Sequence, residues 1–154
     1  MPANTAITPE LRVFYDGACQ LCRAEMHNLM ARDVGGRIEF VDASHPKFDP
    51  QPLGVTLEAM MNALHVRRLS DDAWLIGVPA FEALYAATGQ TGVARALRHP
   101  VLAALAERTY PWVVRHRHHL PQAPIRWVFE RARRRAAEAA ALRTQACRDG
   151  SCRL

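Results

Sequence analysis

One stretch constrains this chain more than any other: an apolar run that ends in Asp-Gly and passes straight into two cysteines three apart. It reads Val13-Phe14-Tyr15-Asp16-Gly17-Ala18-Cys19-Gln20-Leu21-Cys22. Leu11 to Tyr15 is apolar, β-branched or aromatic, so it is expected to be a buried strand. Leu21 to Ala31 follows as a helix, with Leu21, Met26, Leu29 and Met30 near one face and Gly35-Gly36 beyond its end. A Cys-x-x-Cys pair therefore opens a helix at the end of a strand. The positive end of the helix dipole favours a thiolate there.

That placement suits thiol–disulfide exchange. Such chemistry needs an exposed thiol of low pKa to attack, and a second to resolve the mixed disulfide. Cys19, nearest the helix start, is expected to attack; Cys22, one turn in and more buried, to resolve. Asp16 admits two readings. Its carboxylate takes and returns the proton of the resolving thiol, or it shapes the Asp-Gly bend as an Asx-turn. The competing reading of the cysteines is half of a zinc site. Glu25 and His27 could lie beside Cys22, but each reads more simply as a solvated helix residue. Arg23 could help hold a thiolate or point to water. Phe14 and Tyr15 are expected in the strand core.

Further along, Arg37 to Asp42 reads as a second strand, completing a right-handed βαβ unit. Ser44 to Pro52 holds three prolines and reads as a loop. Thr56 is placed to cap a short helix through Met61. Leu64 to Leu69 and Ala73 to Ile76 flank Ser70-Asp71-Asp72 as a hairpin. Pro79 to Ala87 reads as a helix that starts with Pro and stops at Gly89. The order so far is β-α-β-α-β-β-α. Beyond Gly92 the chain is helical: Val93 to Leu97, Pro100 to His119 with a kink expected at Pro111, and Pro124 to Arg143. In the last of these, Ile125, Val128, Phe129, Ala132 and Ala136 share a face.

The pattern Tyr-Asp-Gly-x-Cys-x-Leu-Cys resembles the signature of the DCC family of thiol–disulfide oxidoreductases, named for its Asp and two Cys. Those residues match here as Asp16, Cys19 and Cys22. The resemblance runs on through Ile38-Glu39-Phe40-Val41-Asp42, Leu64-His65-Val66, Ala80-Phe81-Glu82-Ala83-Leu84-Tyr85 and Tyr110-Pro111-Trp112, roughly residues 11 to 120. It implies an α/β fold of thioredoxin-like topology: a four-stranded mixed sheet flanked by helices, here with a C-terminal helical extension. It also implies dithiol chemistry; the dithiol reading of Cys19 and Cys22 needs no bound cofactor. The chain departs from the pattern in having Gln20 where many members carry Pro. Asn62-Ala63 stands where thioredoxin-like proteins usually place a proline before the third strand.

The chain is long enough, at 154 residues with 49% apolar, for one domain with a real core. Charge divides it. Residues 1–89 carry 7 Lys/Arg against 11 Asp/Glu, and residues 90–154 carry 13 against 4. The expected organisation is an N-terminal tail over 1–10, a core over 11–92, a basic helical extension over 93–143 packed on the core, and a mobile tail over 144–154. The arginines read as a solvated surface; the alternative is a face for an acidic partner or an anionic membrane. No aromatic interleaving points to specific nucleic-acid binding. His116-Arg117-His118-His119 reads as a basic helix end near the negative dipole rather than a metal patch. Cys147 and Cys152 form a second pair. They could relay electrons, complete a four-cysteine zinc site with Cys19 and Cys22, or oxidise without purpose. No apolar run reaches membrane-spanning length, and Met1 to Pro9 lacks a leader's basic start and apolar stretch. The expected setting is cytoplasmic, the partner a protein or low-molecular-weight thiol or disulfide.

Overall fold

The structure is a computed structural model and describes residues 8–148. Its sheet has the strand order β2-β1-β3-β4. β1 spans Leu11–Tyr15, β2 Ile38–Asp42, β3 His65–Arg68 and β4 Ala73–Ile76. β1 lies between a parallel β2 and an antiparallel β3, with Leu11 opposite Ile38 on one side and Arg68 on the other. β3 and β4 form the expected hairpin, with His65 opposite Ile76. β1 is thus internal, which is why its run is nearly all apolar.

Alternation along β1 assigns its side chains to two faces. Leu11 and Val13 join Met26 and Leu29 of α1 (Gln20–Met30) and Ala80 and Leu84 of α3 (Val78–Ala87). Phe14 points the other way, to Ala43 and to Met60 of α2 (Leu57–Asn62), with Phe48 and Trp74 around it. Helices therefore cover both faces. Each fully buried Phe, Leu or Met here contributes about 1.5–3 kcal/mol of transfer free energy. This is the four-stranded mixed sheet with flanking helices that the element order and the family resemblance predict.

Several boundaries move. The helix over the dithiol starts one residue early, because Cys19 is its N-cap. Met30 lies at its exposed edge rather than in the core. The proline-rich loop contains one 3₁₀ turn, Gln51–Leu53. Thr56 caps α2 as expected, its hydroxyl accepting from the Ala59 amide at 3.1 Å. α4 occupies Thr91–Arg98 and α5 occupies Pro100–His116. α5 runs on through Pro111, and it ends three residues before the predicted His119, where a turn takes over.

By compactness the chain divides after Leu120. The first unit holds the sheet and α1 to α5, with α4 packed on both α3 and α5. The second unit begins at Pro121 and contains α6, Gln122–Arg148. Along α6, Ile125, Phe129, Ala132 and Ala136 form a half-buried stripe, whereas Trp127 and Val128 are exposed. No helix among the described residues is long and apolar enough to cross a membrane.

Candidate active site

The bend after β1 is built from two carboxylates. Asp42, the last residue of β2, accepts from the Gly17 amide at 3.0 Å, the Ser44 amide at 2.9 Å and the Ser44 hydroxyl at 2.6 Å. Burial opposes its charge, but these donors outweigh burial and hold its pKa below the usual carboxylate range. A β-carbon at Gly17 would collide with that carboxylate, so the backbone passes this point only as glycine. Asp16 supplies the second carboxylate and is itself buried, 6% exposed. Its Oδ1 accepts from the amides of Ala18 at 3.0 Å and Cys19 at 3.2 Å. The bend is therefore an Asx-turn that delivers Cys19 to the helix start.

Cys19 caps α1 through its sulfur, which accepts from the Cys22 amide at 3.4 Å. A thiolate at this place meets an unpaired helix amide and the positive end of the dipole. Its pKa is pulled down to about 6. The largest influence is the hydrogen bond from the Cys22 thiol; burial opposes it, and the Cys22 amide, Arg117 and His118 assist. The Cys22 thiol moves the opposite way, because donating to Cys19, burial and the Cys19 charge all hold its proton. The pair is thus poised as thiolate plus thiol.

Exposure corrects one expectation. Cys19 has no exposed surface, whereas Cys22 is only partly covered. The Asx-turn and the N-cap role fold the Cys19 side chain inward under the first turn, so Cys19 is the more covered of the two. Cys147 and Cys152 cannot be placed beside them: the Cys147 side chain and all of Cys152 lie outside the described residues. Among the described residues, no three His, Cys, Asp or Glu side chains cluster as metal ligands would.

The site contains three residues that local patterns do not announce. Arg117, the C-cap of α5, reaches back over the dithiol. Its Nη2 donates to Asp16 Oδ2 at 3.0 Å, and its Nη1 lies 3.8 Å from Cys22 Sγ. Nε2 of His118 lies 3.8 Å from the same carboxylate oxygen. Tyr110 of α5 accepts from the Leu64 amide at 2.7 Å, at the entry to β3 where Asn62-Ala63 replaces the usual proline. Glu25, expected in solvent, is half-buried and accepts from the Tyr85 hydroxyl at 2.5 Å. Burial raises its pKa, partly offset by that bond and by Arg32. His27 and Arg23 are exposed, as solvated helix residues are.

Asp16 therefore shapes the bend through Oδ1, while its Oδ2 faces the Arg117 guanidinium. A dithiol at a helix N-terminus, on the end of an internal parallel strand, defines the thioredoxin-like class. Residues 13–123 match the DCC1-like thiol-disulfide oxidoreductase family, and the chain belongs to that family. It is also 32% identical over 103 residues to an uncharacterized chloroplastic protein of Arabidopsis thaliana. That match covers 66% of this chain and 48% of the plant protein, so the chain spans about half the length of the curated relative. No solved structure matches.

Proposed function

We propose that this protein is a thiol–disulfide oxidoreductase working through Cys19 and Cys22. One observation carries the reading: Cys22 turns its amide toward Cys19 Sγ, and its thiol hydrogen bond is the largest influence lowering the Cys19 pKa. One sulfur is thereby a nucleophile near neutral pH and its neighbour a protonated reserve. The Cys19 thiolate attacks a substrate disulfide, giving a mixed disulfide and one substrate thiol. Cys22 then attacks Cys19, closing the intramolecular disulfide and releasing the second thiol. Asp16 receives the Cys22 proton and passes it to the departing substrate thiolate. Electrons to restart the cycle come from a protein or low-molecular-weight thiol, as a reducing compartment such as the cytoplasm supplies, and no bound cofactor is needed.

Thiol trapping across a dithiothreitol series tests this, with Cys147 and Cys152 replaced by Ser so that only the first pair reports. The expected result is one two-electron transition with a midpoint in the range of known dithiol enzymes, roughly −120 to −270 mV. Two thiols that stay independent at every potential would overturn the reading.

A further inference from the structure

Arg117 stands 101 residues from Asp16 and 95 from Cys22 in the chain, yet one guanidinium touches both. Its side chain is only 12% exposed and that of Asp16 only 6%. An arginine so covered needs a partner, and a planar fork serves two neighbours at once in fixed geometry. Here one arm holds the carboxylate and the other faces the sulfur of the resolving cysteine. A staple that merely fastened the end of α5 to the bend would have no need to face that sulfur.

We propose that Arg117 is a positioning residue for the resolving step, holding Cys22 Sγ and the Asp16 carboxylate on the two arms of one guanidinium so that the thiol proton passes to Asp16. The proposal rests on the dithiol reading above. In the mixed disulfide, Cys19 is bonded to a substrate sulfur and its negative charge is gone. The strongest hold on the Cys22 proton goes with it. What remains around Cys22 is the Arg117 cation, the Asp16 carboxylate, His118 and the Tyr110 hydroxyl. The Cys22 proton moves to Asp16. The Cys22 thiolate gives its electron pair to Cys19 Sγ, the Cys19–substrate bond breaks, and the departing thiolate takes the proton from Asp16. Two electrons leave the dithiol and reduce the substrate disulfide. Arg117 stabilises the transient Cys22 thiolate on one arm and holds the Asp16 carboxylate on the other.

The test separates the two chemical steps in the full chain with Cys147 and Cys152 replaced by Ser. Reduced protein is mixed with dithiobis-nitrobenzoate, which releases one coloured thiolate when Cys19 forms the mixed disulfide and a second when Cys22 resolves it. In R117Q the second release should slow by about tenfold or more, and the first by only about two- to threefold. The pH at which the second phase reaches half its maximal rate should rise. R117K keeps the charge but not the fork, so its second phase should fall between the two. Equal second-phase rates in R117Q and wild type, both cooperatively folded, would overturn the proposal. If R117Q does not fold, R117K decides: a second phase within twofold of wild type overturns it. Wild-type protein that releases only one equivalent and forms no internal disulfide would instead bring down the dithiol reading itself, and this proposal with it.

Discussion

At the scale of single residues, Cys19 is activated and covered at once, and the two effects separate experimentally. Its alkylation rate should rise with pH and level off above about pH 7, because the thiolate forms through a pKa of about 6. Cys22→Ala removes the largest lowering influence, so the half-maximal pH should move up toward the ordinary thiol range near 8.5. The plateau rate should lie below that of the denatured chain at equal thiolate fraction, since a covered sulfur is reached only by local opening. A plateau equal to the denatured rate would show that cover does not limit access. Gly17→Ala tests the bend: the added carbon meets the Asp42 carboxylate. It should cost about 1–3 kcal/mol in chemical denaturation, with a loss of the lowered Cys19 pKa as the helix start shifts.

The same scale shows what could be read in advance. Asp16, Cys19 and Cys22 lie within seven residues, and turns and caps act over that range, so the Asx-turn and the place of the cysteine pair at the helix start were legible in the local pattern. The inward turn of Cys19 was not, because it depends on how the Asx-turn orients the first helical turn. Arg117 was not legible either. His116-Arg117-His118-His119 has a sufficient local account as a basic helix end, and its partner carboxylate is 101 positions away. Glu25 escaped for the same reason, its partner Tyr85 lying 60 positions on.

At the scale of elements, α1 is tied to α3 by Tyr85 and Glu25, and α5 to β3 by Tyr110 and the Leu64 amide. Tyr85→Phe leaves a half-buried carboxylate without its donor and should lower stability by about 1–2 kcal/mol at neutral pH. The pH dependence has a definite sign. A carboxyl whose folded pKa is raised favours the fold below its unfolded pKa of about 4.3, and that contribution fades as pH rises through the folded value. Glu25→Gln should therefore gain in melting temperature relative to wild type on going from pH 4 to pH 7. A gain in the opposite direction would mean that Tyr85 outweighs burial at Glu25. The strands and first helix were legible because period-two and helical patterns are strong there. The end of α5 was not: the three residues after His116 continue the basic run, whereas the chain there closes a turn, the His119 amide donating to the His116 carbonyl at 2.8 Å.

For the whole molecule, the division after Leu120 places α4 and α5 with the sheet and α6 in a unit of its own. A chain ending at Leu120 should therefore unfold cooperatively and keep the pH profile of Cys19 alkylation. A chain ending at Gly92 should not, since it loses α5 with Tyr110 and Arg117. Circular dichroism melts and alkylation of the two truncations check this. The boundary expected from composition fell at residue 92, where charge and character change. Compactness follows packing instead, and the half-buried side of α5 packs as the preceding helices do.

Tyr110 and Arg117 are seven positions apart, which on an α-helix is two turns, about 10.5 Å of rise and within about 20° of the same direction. The spacing works as a ruler laid between the entry to β3 and the bend at Asp16. Exposed positions along it, such as Arg115, are free to change in identity. Its length is not: inserting or deleting one residue between the two would swing Arg117 by about 100°, carrying it off the dithiol while every side chain of the site remained present.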